Sequence, residues 1–288
     1  MKNQWFISIK KNDEGNLDLS NLHHNYPPKG HYWADPFLYQ KDGKDYIFYE
    51  LYDYKKGVIA YSEIREDMTF TDPTIVLELD YHISYPFLIE DGGELYMVPE
   101  IGKKWESEEY KRSTVYDEDK GGYHIDPKNI GIDIYKCVSF PDKWVFEKTL
   151  VSGVMAGDSN IFKFNNKYLI FTTINPDMKN QFSLFTSDSL LGPYKYIFGK
   201  KITNSRSAGS IFLDEDSSQI IRFTQNSEGG YGRSIFMKSL SLDFSKNKYV
   251  EDTLDEIEPN WHPEIFGTHH LDFNKKYIVV DGKRKIDD

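Results

Sequence analysis

A strand–turn–strand pattern that recurs five times, an aromatic share of 16% and tight turns rich in Asp, Asn and Gly predict an all-β chain, a single-domain five-bladed β-propeller. The first copy is Ala34-Asp35-Pro36-Phe37-Leu38-Tyr39, a turn at Asp42-Gly43, then Tyr46-Ile47-Phe48-Tyr49-Glu50. The second is Ser84-Tyr85-Pro86-Phe87-Leu88-Ile89, a turn at Gly92-Gly93, then Leu95-Tyr96-Met97-Val98-Pro99-Glu100. The third runs from Gly157-Asp158-Ser159-Asn160 through Asn165-Asn166 to Phe171. The fourth runs from Ala208-Gly209-Ser210 through Asp214-Glu215-Asp216 to Phe223, and the fifth from Thr268-His269-His270 through Asn274-Lys275 to Val280. The turn residues tolerate positive φ, and the runs that flank them alternate or stay apolar, as half-buried and buried strands do.

Third strands are expected at Gly57-Val58-Ile59-Ala60-Tyr61-Ser62, Gly131-Ile132-Asp133-Ile134-Tyr135 and Phe182-Ser183-Leu184-Phe185-Thr186. A fourth, outer strand is expected at Lys143-Trp144-Val145-Phe146-Glu147. The openings at Asp35, Tyr85, Asp158, Ala208 and Thr268 are spaced by about 50 to 73 residues, near the length of a four-stranded blade with its loops. Blades are therefore placed at about 28–80, 81–148, 149–198, 199–250 and 251–288. The run 4–10 closes the ring as the outer strand of the last blade, which removes a sheet edge. A polar, charged insertion at 103–129 interrupts the second blade between its second and third strands. It reads as a solvated loop, with a lid or an oligomer contact as the alternatives.

Composition excludes several classes. The chain has 288 residues, 39% of them hydrophobic, and a net charge of −11, which argues against nucleic-acid partners and polybasic membrane attachment. Its single cysteine, Cys137, allows no internal disulfide. No apolar run reaches the roughly 18 residues of a spanning helix, and the first ten residues lack the apolar core of a signal peptide. A cytoplasmic location is the expectation. Phosphate-loop, zinc-protease and nucleophile-elbow motifs are missing, and Gly229-Gly230-Tyr231-Gly232 reads as a glycine-rich hairpin.

Five ordered motifs carry a resemblance: Trp33-Ala34-Asp35-Pro36-Phe37; Ser84-Tyr85-Pro86-Phe87 with Val98-Pro99-Glu100; Arg206-Ser207-Ala208-Gly209; Glu258-Pro259-Asn260-Trp261; and Gly267-Thr268-His269. Together they resemble the propeller domain at the N-terminus of glucosamine inositolphosphorylceramide transferases, over nearly the whole chain. More distantly, the architecture is similar to the propellers of arabinanases, β-xylosidases, invertases and levansucrases. That distant resemblance implies Asp35 as base or nucleophile and two further carboxylates from neighbouring blades. The second blade departs from the pattern, since Tyr85 stands where an Asp belongs and the nearest carboxylate is Glu100. The third blade offers Asp158 in the place of a Glu acid.

Propeller blades open around a central channel, so Asp35, Asp158, Arg206 and His269 are expected to face one another at its mouth. Two carboxylates there suit glycoside chemistry, one protonating the leaving oxygen and the other attacking or activating water. The candidate catalytic residues are Asp35, Asp158 and Glu100, with Asp158 and Glu100 not separated as the acid. Glu50 matches Glu100 in position but reads as structural. Arg206 either binds substrate through its fork or holds Asp158 or Asp35 as a buried pair. Trp33, Tyr85 and Trp261, with Tyr32, are candidates to stack on sugar faces. No cofactor is expected; a divalent metal near His269 is weighed against a hydrogen-bonded structural histidine, and the latter is preferred. The expected partner is a saccharide or nucleotide-sugar. The expected function is transfer or hydrolysis of a glycosyl unit, with a non-catalytic glycan-binding or scaffolding propeller as the alternative.

Overall fold

The computed structural model describes residues 2–12, 17–101, 114–117, 122–125, 130–174, 181–201, 203–214, 219–243, 246 and 248–287. Two N-terminal strands, β1 (Lys2–Lys11) and β2 (His23–Asn25), precede the first blade. That blade is β3 (Tyr32–Lys41), β4 (Lys44–Tyr52), β5 (Gly57–Glu63) and β6 (Thr74–Leu77), paired in chain order. The second contains β7 (Ile83–Asp91), β8 (Glu94–Ile101), β11 (Gly131–Ser139) and β12 (Lys143–Ser152). The strands β9 (Thr114–Asp117) and β10 (Gly122–Ile125) pair only with each other. They are the described part of the 103–129 insertion; the rest of it, and with it the lid and contact readings, lies outside the described residues.

The third blade is β13 (Ala156–Phe164), β14 (Lys167–Ile174), β15 (Gln181–Ser187) and β16 (Lys195–Lys201). The fourth is β17 (Ser207–Asp214), β18 (Gln219–Asn226), β19 (Ser234–Asp243) and β20 (Lys248–Ile257). The short β21 (Ile265–Gly267) then leads to β22 (Leu271–Phe273) and β23 (Tyr277–Ile286). The fifth blade runs β22-β23-β1-β2, so the N-terminal run is its third strand, and His23–Asn25 holds the outer place that 4–10 was expected to take. One parallel bridge, Gly209 to Leu271, joins the inner strands of blades four and five. Among the described residues no helix is long and apolar enough to cross a membrane.

The hairpins follow from their turns. Asp42 and Gly43 both have positive φ (51° and 77°) between the paired Lys41 and Lys44. Asn165 and Asn166 (49° and 58°) repeat this between Phe164 and Lys167, as a two-residue hairpin of matching twist requires.

The inner strands are apolar on both faces because each blade packs between two others. On β14, Tyr168 and Ile170 meet Val98 and Ile134 of blade two, while Leu169 and Phe171 meet Ile220 and Leu240 of blade four. Ile7, Ile9 and Tyr277 of blade five pack on Trp33, Ile47 and Tyr49 of blade one. The apolar core is thus five inter-blade layers, and each fully buried Phe or Ile in them contributes about 1.5–3 kcal/mol.

Candidate functional site

Four inner strands break step at the same place. The register slips between Ala34 and Phe37, Ser84 and Phe87, Gly157 and Asn160, and Ser207 and Ile211, which marks a β-bulge in each of blades one to four. Within the bulges Asp35, Tyr85, Asp158 and Gly209 have φ of 53°, 50°, 44° and 113°. Left-handed backbone costs a non-glycine residue on the order of 1–3 kcal/mol, and a bulky one such as Tyr85 is the rarer case.

A bulge frees a backbone N–H from the ladder, and burial obliges that N–H to find an acceptor. Here each acceptor is a side chain from another blade. Asp281 Oδ2 accepts the Asp35 N–H at 3.4 Å, Asp35 Oδ2 accepts the Tyr85 N–H at 3.2 Å, and Glu100 Oε2 accepts the Asp158 N–H at 2.9 Å. The Tyr85 hydroxyl accepts the Gly209 N–H at 3.1 Å and sits 3.0 Å from Asn160 Oδ1. The carboxylates expected around the axis are therefore there, and each is also tied into the fold.

Arg206 spans two of them. Its Nε donates to Asp158 Oδ2 at 2.5 Å, and Nη2 donates to Glu100 Oε2 at 2.8 Å and to Asp158 Oδ1 at 3.3 Å. Gln225 Nε2 adds a bond to Asp158 Oδ2 at 2.7 Å. Burial, helped by Glu100, pushes the Asp158 carboxyl well above its usual range against the pull of Arg206. Burial also acts on Glu100, but there Arg206 prevails and holds it below the usual value. Two carboxylates face one guanidinium, so the pair favours taking up one proton, on the more deeply buried Asp158.

Asp35 lies among histidines. Its Oδ1 is 3.6 Å from His269 Nε2 and 3.6 Å from His270 Nδ1. Burial would raise its pKa, yet His270, His269 and Arg206 together lower it to about 2. His269 in turn has Nδ1 2.6 Å from Asp281 Oδ2, and its ring stacks on Trp5 at 4.1 Å. Burial opposes protonation of His269, but Asp281 and then Asp35 raise its pKa overall. Ligand-type atoms of Asp35, His269 and Asp281 lie within 4.8 Å of one another, so they could surround a small cation. Asp281 is already engaged, however: Oδ1 accepts the His269 and His270 N–H groups at 2.9 and 3.0 Å, and Oδ2 accepts that of Asp35 at 3.4 Å. That arrangement fits an imidazolium–carboxylate cluster better than a metal centre.

The aromatic residues differ from the sequence expectation. Trp33 is 6% exposed and packs on Tyr49 and Phe70 between blades five and one, which leaves no face for a sugar. Tyr85 is fully buried, and its hydroxyl pins Gly209. Trp261 is half-buried against His24 and Phe6 on the outer strands of blade five, away from the bulges.

Beside the ionised cluster lies Tyr231, a residue 51% exposed, with its ring edge-on to His269 and 5.9 Å from the Arg206 guanidinium. Nearby, Tyr32 and Tyr52 pack at 4.6 Å and Tyr52 meets His82 at 5.5 Å. Tyr231, His82, Asp281, His270 and Gln225 were not among the residues expected from sequence. Tyr231 lay within a hairpin read as structural, and Asp281 had no repeat position to mark it.

A family model described as "Glucosamine inositolphosphorylceramide transferase 1, N-terminal" matches residues 20–119 and 123–276. Glucosamine inositolphosphorylceramide transferase 1 of Arabidopsis thaliana is 26% identical over 232 residues, covering 76% of this chain. The match covers 26% of that protein, so the chain spans about a quarter of the length of the curated relatives it matches. Among solved structures, the family 117 glycoside hydrolase Zg3597 of Zobellia galactanivorans superposes with a TM-score of 0.54 at 11% identity, over 99% of this chain and 92% of that one. The β-xylosidase/α-arabinofuranosidase CoXyl43 from a compost metagenome, in complex with xylotriose, gives 0.54 at 18% identity, over 76% and 73%. These superpositions show the five-bladed fold. The sequence match assigns the family: the chain belongs to the glucosamine inositolphosphorylceramide transferase 1 N-terminal family.

Proposed function

We propose that this chain is a carbohydrate-active enzyme that transfers or hydrolyses a glycosyl unit at the mouth of the propeller, with Asp35 as base or nucleophile. One observation carries the reading. Asp35 is held ionised, with its pKa near 2, on left-handed backbone at the head of the first inner strand. The fold spends strain and a buried charge there, and such expenditure gathers at working sites. An anionic carboxylate at that point suits attack on a sugar carbon or removal of a proton from an incoming hydroxyl. Tyr231, a half-exposed residue, supplies a ring for the sugar face. Kinship with a transferase and a fold shared with glycoside hydrolases support a saccharide substrate.

A second reading has its own support. Asp35, Glu100 and Asp281 each accept a bulge N–H, a structural role that needs no substrate. On that reading the mouth binds a glycan without turning it over.

One experiment separates the two. The purified chain and its Asp35→Asn variant are incubated with panels of nucleotide-sugars and oligosaccharides, and both binding and product are followed. Turnover that falls at least about 100-fold in Asp35→Asn supports the enzyme. Binding to both proteins with no product from either supports the glycan-binding reading.

A further inference from the structure

We infer that Glu50 is the proton donor of the site, with His82 as the neighbour that sets its proton affinity. This rests on the proposed glycosyl chemistry and names the acid within it.

Four other carboxyls of the cluster are poorly placed to give a proton, and the first, Asp281, accepts backbone N–H groups on both oxygens. Asp35 is ionised. Glu100 is held ionised by Arg206. Asp158 favours a proton but is 1% exposed, and three N–H donors of Arg206 and Gln225 occupy its two oxygens. That proton balances the charge of the Arg206 cluster.

Glu50 is different. It stands on β4 opposite Ala34, one residue before Asp35, so both carboxyls belong to the same end of blade one. Among the described residues the Tyr32 hydroxyl donates to Oε1 at 3.4 Å, and His82 Nε2 lies 3.2 Å from the same oxygen. Oε2 is then the oxygen left to carry a proton toward a ligand. Nδ1 of His82 accepts the Gly57 N–H at 3.0 Å, which places the ring proton on Nε2, the nitrogen nearer Glu50. Burial and the Gly57 bond oppose a second ring proton on His82, while the Glu50, Glu100 and Asp35 carboxyls raise its pKa overall, so the proton is shared out within the Glu50–His82 pair. Gly57 itself makes the room, since a Cβ there would lie 2.7 Å from Glu50 Oε1 and 2.7 Å from His82 Cε1.

The charges facing Glu50 agree with this role. Burial raises its pKa most and the Asp35 charge adds to that, while His82 and His269 pull down, and the balance is upward. A carboxyl pushed up beside one pushed down is the division of labour that glycoside chemistry requires.

The step balances. As the bond from C1 to the leaving oxygen breaks, the Oε2 proton passes to that oxygen, and Asp35 either bonds to C1 or takes the proton of the incoming hydroxyl. In the first case the Glu50 carboxylate then recovers a proton from the incoming hydroxyl as Asp35 leaves C1. In the second the incoming oxygen bonds to C1, Asp35 releases to solvent the proton it took, and Glu50 recovers one from solvent.

The test uses nitrophenyl and methyl glycosides of common pentoses and hexoses. A nitrophenolate departs without a proton and a methoxide does not. Glu50→Gln is expected to lose methyl-glycoside turnover by at least about 100-fold while keeping nitrophenyl turnover within about 10-fold. His82→Gln, at a partly exposed position, removes a bond that lowers the Glu50 pKa, so the alkaline limb of its rate profile is expected at higher pH than in the parent chain. Equal turnover of both substrate types by Glu50→Gln overturns the inference and leaves the enzyme reading intact, as does finding the leaving-group dependence in Asp158→Asn instead. If Glu50→Gln fails to fold, an unmoved alkaline limb in His82→Gln overturns it. If the parent chain turns over no glycoside of either type, the enzyme reading falls and this inference with it.

Discussion

The Arg206 guanidinium lies against both Asp158 and Glu100, at 2.5 and 2.8 Å, and so locks the bulge of blade three to the second strand of blade two. Removing one partner of such a cluster leaves the others buried and repelling one another. Arg206→Met is expected to destabilise the chain by about 3–5 kcal/mol near neutral pH. Acid should relieve part of that loss, because protonation neutralises the stranded carboxylates. Urea midpoints of parent and variant at neutral and mildly acidic pH check both the size and the direction.

Asp35 predicts an acid limb in stability. Folding lowers its pKa from 3.8 to about 2, so its ionised form stabilises the fold above about pH 4 and that contribution is lost as pH falls through about 2. The contribution is about 2 kcal/mol. Asp158 has the opposite sign: its raised pKa favours the fold at low pH, and that support fades as pH rises. Asp35→Asn is therefore expected to be less stable than the parent at neutral pH, with the gap closing toward pH 2. Thermal melts over that range decide it, and a constant gap would remove the assignment of an ionised Asp35.

Gly209 has φ of 113°, and a Cβ there would lie 1.8 Å from the Leu271 carbonyl oxygen. That carbonyl belongs to the residue bridged to Gly209 across blades four and five. Gly209→Ala is expected to cost on the order of 3 kcal/mol or more, because backbone cannot step aside as a side chain can. Denaturant unfolding measures it.

Trp33 and Tyr231 should part ways. Trp33→Ala empties an inter-blade layer and is expected to cost about 3–5 kcal/mol without a specific effect on saccharide affinity. Tyr231→Ala, at a half-exposed residue, is expected to stay within about 0.5 kcal/mol of the parent in stability. The same change should weaken saccharide binding about 10-fold, the value of one lost stacking contact. Calorimetric titration beside a melting curve distinguishes the pair.

The different fates of these aromatic residues show what the linear chain conceals. The turns Asp42-Gly43 and Asn165-Asn166 announce their hairpins locally, and the alternating apolar runs announce their layers, so the blades are legible. The convergence of Asp35, Asp158, Arg206 and His269 is legible too, since all four sit at or just before blade openings. The direction of each side chain is not. A bulge adds one residue to one strand and reverses the in–out order beyond it, and no local signal at Trp33-Ala34-Asp35-Pro36 says where the reversal falls. Tyr85 occupies the same bulge position as Asp35, yet it points into the core, where its hydroxyl meets Asn160 and Gly209. Asp281 was invisible for a further reason. It lies in the second strand of the last blade, and its importance comes from backbone N–H groups that arrive from elsewhere in the chain.

β1 and β23 run side by side from Lys2 against Ile286 to Lys11 against Tyr277. During synthesis β1 must wait for its neighbour until the four blades between them have been made. The segment from β21 to β23 acts as a latch: pairing β23 with β1 closes the ring and brings Asp281 and His269 beside Asp35 in the same event. Without that segment Asp35 would lack His269 and Asp281, and the idle β1 would be free to pair with another copy.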